Sequence, residues 1–368
     1  MTQYIKHSPK ALSHYRRQLS LSRETLAKKS AIALSKIEKG EQQTTVFTFK
    51  QIQKLAKILM VADFCLLSDI IKDIDVPQQI DYRNHLEPDQ EEEQYLLQKA
   101  IRDVATSRED LIYTYDSLAI EPQPFLLQLS GNDAIGDANR IRQFFNVNEQ
   151  NFKLHQNDDY YRAWRNLIES KDIIVLEIAR TKINSEGMAL YYPILPVIAI
   201  LSSGQTASRK LFTMVHELVH LGLRQSAVDG QLLMNDTAIE RYCNQVAGHV
   251  LVPEHSLDRL FCHHLPLAEN IYRIRKHLRV SKQAIAIQLL LTHRISQLEF
   301  DNYMSSQKLD GFGKTGKQYT AYHRFGKNFV QQVLSAVWGN DVSISSALKI
   351  LKIDTVEQLN YLEEKVFS

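Results

Sequence analysis

The feature that most restricts this chain of 368 residues is the run His216-Glu217-Leu218-Val219-His220. Two histidines four residues apart meet at one point only on a helix, where about 100° per residue brings the fifth side chain back over the first. On such a helix His216, Glu217 and His220 share one arc. Leu211, Phe212, Val215, Leu218, Val219 and Gly222 fill the adjoining arc. The helix is therefore amphipathic, and its histidines flank the buried stripe instead of facing open solvent. Zinc takes imidazole nitrogens at ~2.0–2.1 Å, and a glutamate beside the water on such an ion can take its proton. His216 and His220 are candidate metal ligands, and Glu217 is a candidate general base. A surface helix with two solvated histidines is the competing reading, and the periodicity speaks against it.

A catalytic zinc site needs three protein ligands and one open position. Glu240 is the best third ligand. It begins a second helix in which Ile239, Tyr242, Cys243, Val246, Ala247, Val250 and Leu251 form an apolar stripe, and it lies at that stripe's edge in line with Asn244. A carboxylate placed there needs a positive partner. Thr237 and Glu240 also have the spacing of a capping box, in which Glu240 would only close its own helix. Spacing alone leaves both readings open.

Arg209-Lys-Leu-Phe212-Thr213-Met-Val-His216-Glu217-Leu-Val-His220-Leu221 resembles the core motif of ImmA/IrrE-type metallopeptidases. IERYCNQVAGHVLVP, residues 239–253, resembles that family's second helix. The resemblance implies that His216, His220 and Glu240 bind one zinc ion per chain and that Glu217 acts as general base. It also implies that the apolar run Pro196 to Leu201 is the strand before the motif. In HExxH peptidases such a strand can hold an extended substrate by main-chain pairing, which makes Val197, Ile198, Ala199 and Ile200 the substrate-binding candidates. Asp81-Tyr82-Arg83 and the C-terminal tail extend the likeness. Leu201 departs from it, standing where a polar residue usually ends the strand. Gly248-His249 departs too, replacing the usual small pair.

The charge is unevenly spread. Residues 1–60 carry 12 Lys and Arg against 3 Asp and Glu, while the remainder carries 32 against 39. A basic head on an acidic body suits nucleic-acid contact at the N-terminal end alone. Residues 21–29 and 34–40 of that head resemble the Xre (lambda-repressor-like) helix-turn-helix, which implies phosphate contacts from Lys28, Lys29, Lys36 and Lys39. Between Lys29 and Ser35 the chain is about three residues shorter than that pattern. The missing stretch is where base-reading side chains arise, which puts sequence reading in question; specific DNA binding stays the first expectation, with phosphate-only contact and a protein-docking role as the alternatives.

The longest apolar stretch, Met188 to Leu201, is broken by two prolines and too short to cross a bilayer. The first residues lack a signal peptide's apolar centre. Cys65, Cys243 and Cys262 make no disulfide framework. These features point to the cytoplasm, with no membrane partner. Asp310 to Gly316 contains GxGxxG without a βαβ context, so it reads as a loop. Cys262-His263-His264 reads as a surface patch, and Glu91 to Glu93 as a solvated acidic run.

The expected fold is mainly α, with a small α+β zincin-like catalytic domain and an all-α helix-turn-helix domain at the N-terminus. The expected boundaries are 1–68 for the head, 69–93 for an acidic linker, 94–300 for a helical segment plus peptidase domain, and 301–368 for a helical tail. The expected function is an intracellular zinc endopeptidase that cleaves a regulatory partner protein, a repressor-like or toxin-like neighbour. DNA contact through residues 8–68 and self-association are both compatible with it. The alternative is a transcriptional regulator or antitoxin whose peptidase fold serves as sensor or docking surface.

Overall fold

The computed structural model describes residues 3–77, 80–81, 91–147, 160–178, 183, 185–201, 205–229, 238–306 and 321–367. It is mostly helical with a small mixed sheet. Among the described residues no helix is long and apolar enough to cross a membrane. The GxGxxG run and Tyr82-Arg83 lie outside the described residues.

The chain divides into two compact units. The first comprises Met1–Val76 and Leu86–Glu109. Strand β1 (Tyr4–Ile5) precedes helices α1 (Pro9–Gln18), α2 (Arg23–Ser30) and α3 (Leu34–Gly40). Strand β2 (Phe47–Thr48) pairs antiparallel with β1 and leads into α4 (Phe49–Leu59). Side-chain caps set the helix starts. Ser8 accepts from Ala11 N–H, Ser22 from Thr25 N–H, and Thr48 forms a capping box with Gln51. Leu12, Tyr15, Leu26, Ile37, Phe47, Ile52 and Leu55 form the core.

Between α2 and α3 stand three residues, of which Ala31 is left-handed (φ 49°) and caps α2; α3 then spans 7 residues. Buried Glu41 at the end of α3 takes Arg16 (2.5 Å) and Arg23 (2.7 Å) together, tying the first three helices. Burial pushes the Glu41 carboxyl up, but the hydrogen bonds and charges of the two arginines outweigh it and hold it below the usual carboxylate range.

The second unit comprises Pro77–His85 and Asp110–Ser368. Strand β3 (Ile80–Asp81) lies inside the stretch read as an acidic linker. Helix α5 (Glu91–Ser117) continues from the first unit into the second. Then come α6 (Ala134–Phe144), α7 (Tyr160–Glu169), β4 (Ile174–Ile178), β5 (Gly187–Leu190), β6 (Val197–Leu201), α8 (Ala207–Gly222), β7 (Ser226–Asp229) and α9 (Ala238–Leu251). Helices α10 (Glu254–Leu260), α11 (Leu267–Leu278), α12 (Lys282–Leu291), α13 (Gln297–Ser306), α14 (Ala321–Trp338), α15 (Ile344–Ile350) and α16 (Val356–Phe367) complete it.

The sheet order is β3-β7-β5-β6-β4, parallel at its two outer pairings and antiparallel within. Leu211, Met214, Val215 and Leu218 of α8 join Ala189, Ile198 and Ile200 of the sheet and Val246 and Val250 of α9 in one core. Glu177, Ile200 and Gly187 stand in register across β4, β6 and β5, so their side-chain positions share one sheet face. Lys210 of α8 reaches Glu177, and Glu217 lies against Gly187, so α8 crosses the strands along that row.

Candidate metal centre

Helix α8 starts at Thr206, whose hydroxyl accepts from Arg209 N–H. Gln205 Nε2 donates to the carbonyls of Glu186 (3.0 Å) and Leu201 (3.2 Å), and Thr213 Oγ1 donates to Gln205 Oε1 (3.3 Å). Arg209 Nε donates to Glu186 Oε2 at 2.8 Å. These bonds fix the start of α8 to the ends of β5 and β6. Two turns further on, His216, Glu217 and His220 are buried.

Glu240 of α9 is buried opposite them. His216 Nε2 lies 3.1 Å from Glu240 Oε2, His220 Nε2 lies 3.5 Å from Glu240 Oε1, and the two Nε2 atoms lie 3.2 Å apart. Four donors at ~2.0–2.1 Å around a tetrahedral ion stand about 3.3 Å from one another. The observed triangle has those dimensions. His216 Nδ1–H donates to Asn244 Oδ1 at 3.0 Å, which leaves a lone pair on Nε2 facing the carboxylate. Two electron-pair donors at that separation repel each other unless positive charge lies between them. The donor set thus suits a divalent cation of borderline softness.

Cys243 is a further buried group within reach. His216, His220 and Cys243 each offer an atom within 4.8 Å of the others. The contact is at the back of the ring, however. Cys243 Sγ lies 3.8 Å from His220 Nδ1, while Nε2 is the atom turned to Glu240. Cys243 and Asn244 therefore orient the two imidazoles from behind, and Glu240, one turn earlier on α9, shares their space. One face of α9 supplies all three groups.

Glu217 sits where α8 meets β5. A Cβ on Gly187 would come within 2.1 Å of Glu217 Oε1 and 2.7 Å of Thr213 Cγ2, so the carboxylate occupies room that only glycine leaves. Asp137 of α6 holds α9 from its other side. It accepts from Tyr242 OH (2.6 Å) and from the N–H groups of Ser130 (2.9 Å) and Gly131 (3.0 Å). Burial raises the Asp137 carboxyl, but these bonds prevail and hold it low; burial and the same bond push the Tyr242 phenol up to about 12.

Residues 169–290 match the family model Peptidase_M78, the IrrE N-terminal-like domain. That match supports the ImmA/IrrE-type family for this segment and suggests a metallopeptidase-like protein. The IrrE-like segment runs from the end of α7 into α12 and contains His216, Glu217, His220, Glu240, Cys243 and Asn244. No curated protein and no solved structure matches the chain.

Three sequence expectations land differently. Val197, Ile198, Ala199 and Ile200 are not open to a substrate. β6 lies between β4 and β5, both of its hydrogen-bonding edges are taken, and these side chains are fully buried. In the head, Lys28 and Lys39 are exposed, but Lys29 pairs with Glu92 (2.6 Å) and covers the Tyr95 ring, and Lys36 donates to Gln51 (2.9 Å). Glu91, read as solvated, caps α2 by accepting from Ser22 N–H and from Thr25 Oγ1 (2.6 Å). Glu186, Gln205 and Asp137 escaped the sequence reading, and Asn244 was placed in line with Glu240 without a role of its own. Only Asn244, four residues after Glu240, had a spacing that could have signalled its role.

Proposed function

We propose that the chain is a zinc-dependent endopeptidase of the ImmA/IrrE type, with a zincin-like catalytic domain that cleaves a regulatory partner protein. The observation that carries this reading is the buried triangle of His216 Nε2, His220 Nε2 and a Glu240 carboxylate, with Glu217 on the same helix. The three residues would hold one zinc ion, whose chemistry is to polarise the scissile carbonyl and bring a bound water toward a pKa of ~7. Glu217 would serve as the general base beside this site, taking a proton from the attacking water and returning it to the leaving amine. The Gly187 backbone sets the depth of the Glu217 carboxylate. Asn244 holds His216 in the tautomer whose Nε2 can ligate.

The test is co-expression with a candidate repressor-like or toxin-like substrate. Glu217→Gln is expected to retain zinc and lose cleavage. Continued cleavage by that variant would remove Glu217 from the mechanism.

A regulatory reading has its own support in the basic head and in its two short helices joined by three residues. In this reading the protein is a transcriptional regulator or antitoxin, and the head contacts DNA phosphates through Lys28 and Lys39. Duplex binding that weakens with salt, and weakens further in Lys28→Glu with Lys39→Glu, is the expected result. Binding indifferent to both changes would exclude it.

A further inference from the structure

The basic head holds more lysine than its internal pairings use. Among the described residues, several of its carboxylates are committed elsewhere. Glu41 takes Arg16 and Arg23, Glu92 takes Lys29, Asp73 takes His14, and Asp75 takes Arg108. Lys36 is tied to Gln51 at 2.9 Å. Of the four lysines that the helix-turn-helix likeness singles out, Lys28 and Lys39 are left, one on α2 and one on α3.

Helix α4 is different. Its sequence, FKQIQKLAKIL, has three lysines and no carboxylate. At about 100° per residue Lys50, Lys54 and Lys57 fall within an arc of about 60°, opposite Ile52, Leu55, Ala56 and Leu59, which are buried in the core. All three lysines are exposed. The stripe works against its own helix. Lys50 with Lys54 and Lys54 with Lys57 are like charges at i, i+4 and i, i+3, which repel. Lys50 also stands in the first turn, at the positive end of the helix dipole, where no acidic side chain offsets it. Only Lys57, in the last turn, suits the dipole. A pattern that costs the helix local stability is suited to negative charge brought from outside.

We propose that the exposed face of α4 lies along the phosphates of duplex DNA, with Lys50, Lys54 and Lys57 each meeting one. This rests on the regulatory reading of the head and moves its main contact from α2 and α3 to α4. The dimensions agree. The stripe is about 10 Å long, and one strand of a duplex presents a phosphate every ~3.4 Å along the axis, so three lysines face about three phosphates. Gln53, exposed beside them, adds an uncharged donor. Phosphates carry no sequence information, so this contact is indifferent to base sequence.

Fluorescence anisotropy of a labelled duplex of about 20 base pairs, titrated with the full chain across a series of salt concentrations, tests the face. In the triple variant Lys50→Gln, Lys54→Gln, Lys57→Gln the slope of log affinity against log salt should fall by about 2–3, and affinity at ~0.1 M salt should fall about tenfold or more. Glutamine keeps the helix propensity and removes the repulsion, so the thermal midpoint should hold. Removing three exposed charges from the second unit instead, by Arg273→Gln, Lys276→Gln and Lys349→Gln, should leave the parent's slope. The proposal is overturned by a triple α4 variant that keeps the parent's slope, by an equal loss in the second-unit variant, or by a single strand of equal length that binds as tightly as the duplex. Weakening by Lys28→Glu with Lys39→Glu, beside an unchanged α4 variant, overturns it and leaves the regulatory reading standing. A parent chain that binds no duplex even at low salt removes both.

Discussion

Replacing Asn244 with alanine removes the oxygen that accepts His216 Nδ1–H at 3.0 Å. The imidazole then loses the bond that fixes its tautomer and its plane, inside a region where water cannot readily take over. Groups in this position behind a metal-binding histidine are generally worth 10–100-fold in metal affinity, or about 1.4–2.7 kcal/mol. One neutral hydrogen bond to a ring that carries part of an ion's charge falls within that range. The zinc dissociation constant, measured by chelator competition near neutral pH, should rise by that factor in Asn244→Ala. Far-ultraviolet circular dichroism should be unchanged. Asn244→Asp keeps an acceptor and should bind at least as tightly as the parent. Cys243→Ser, which leaves Nε2 of His220 untouched, should shift affinity only a few-fold. An Asn244→Ala variant within twofold of the parent would refute the orienting role, and so would a Cys243→Ser loss as deep as that of Glu240→Ala.

Further consequences concern the surroundings of that centre and the head. Gly187→Ala should force the Glu217 carboxylate back by roughly 1 Å and lower cleavage about 100-fold while leaving zinc content intact; parental activity would show that Glu217 does not work from that seat. Asp137→Asn should destabilise the second unit by about 1–2 kcal/mol, because the buried carboxylate accepts from Ser130, Gly131 and Tyr242 and the amide matches those donors poorly, and denaturant unfolding followed by tryptophan emission should record it. The carboxyl of Glu41 is lower in the folded head than when unfolded. Its contribution is therefore complete above its unfolded value, near 4.3, and is lost as pH falls through the lower folded value. Amide exchange in residues 9–59 should accelerate below about pH 4, and Glu41→Gln should raise exchange at neutral pH by removing the carboxylate that pairs with Arg16 and Arg23.

The clustering of His216 and His220 was legible because a helix turns a spacing of four into a shared point, and the apolar stripe of α8 told which side of the helix is covered. Glu240 was half legible. Its spacing from Thr237 fits a cap as well as a ligand, and only the packing of α9 on α8 brings its carboxylate to two imidazoles. Cys243 was read as packing because it lies on the apolar stripe, and the same stripe places it behind His220.

β6 carried its own correction. Val-Ile-Ala-Ile-Leu is apolar at every position, which fits a strand covered on both faces and flanked on both edges better than an open one. The short strands β3, β5 and β7 span two to four residues, too few for a period to declare itself. Long-range pairs such as Arg165 with Glu177 and Lys210 with Glu177 leave no local trace, since nothing in the composition of α7, α8 or β4 states which of their charges will meet. Glu91 looked solvated for the same reason, as its partner is the start of α2, more than sixty residues away.

Metal analysis of the purified chain, set against His216→Ala, His220→Ala and Glu240→Ala prepared alike, tests the central claim most directly. One zinc per parent chain, lost or sharply reduced in each of the three folded variants, is the predicted result. A zinc-loaded parent that retains no metal, or a Glu240→Ala variant that holds zinc as firmly as the parent, would contradict the assignment of this triangle as the metal centre.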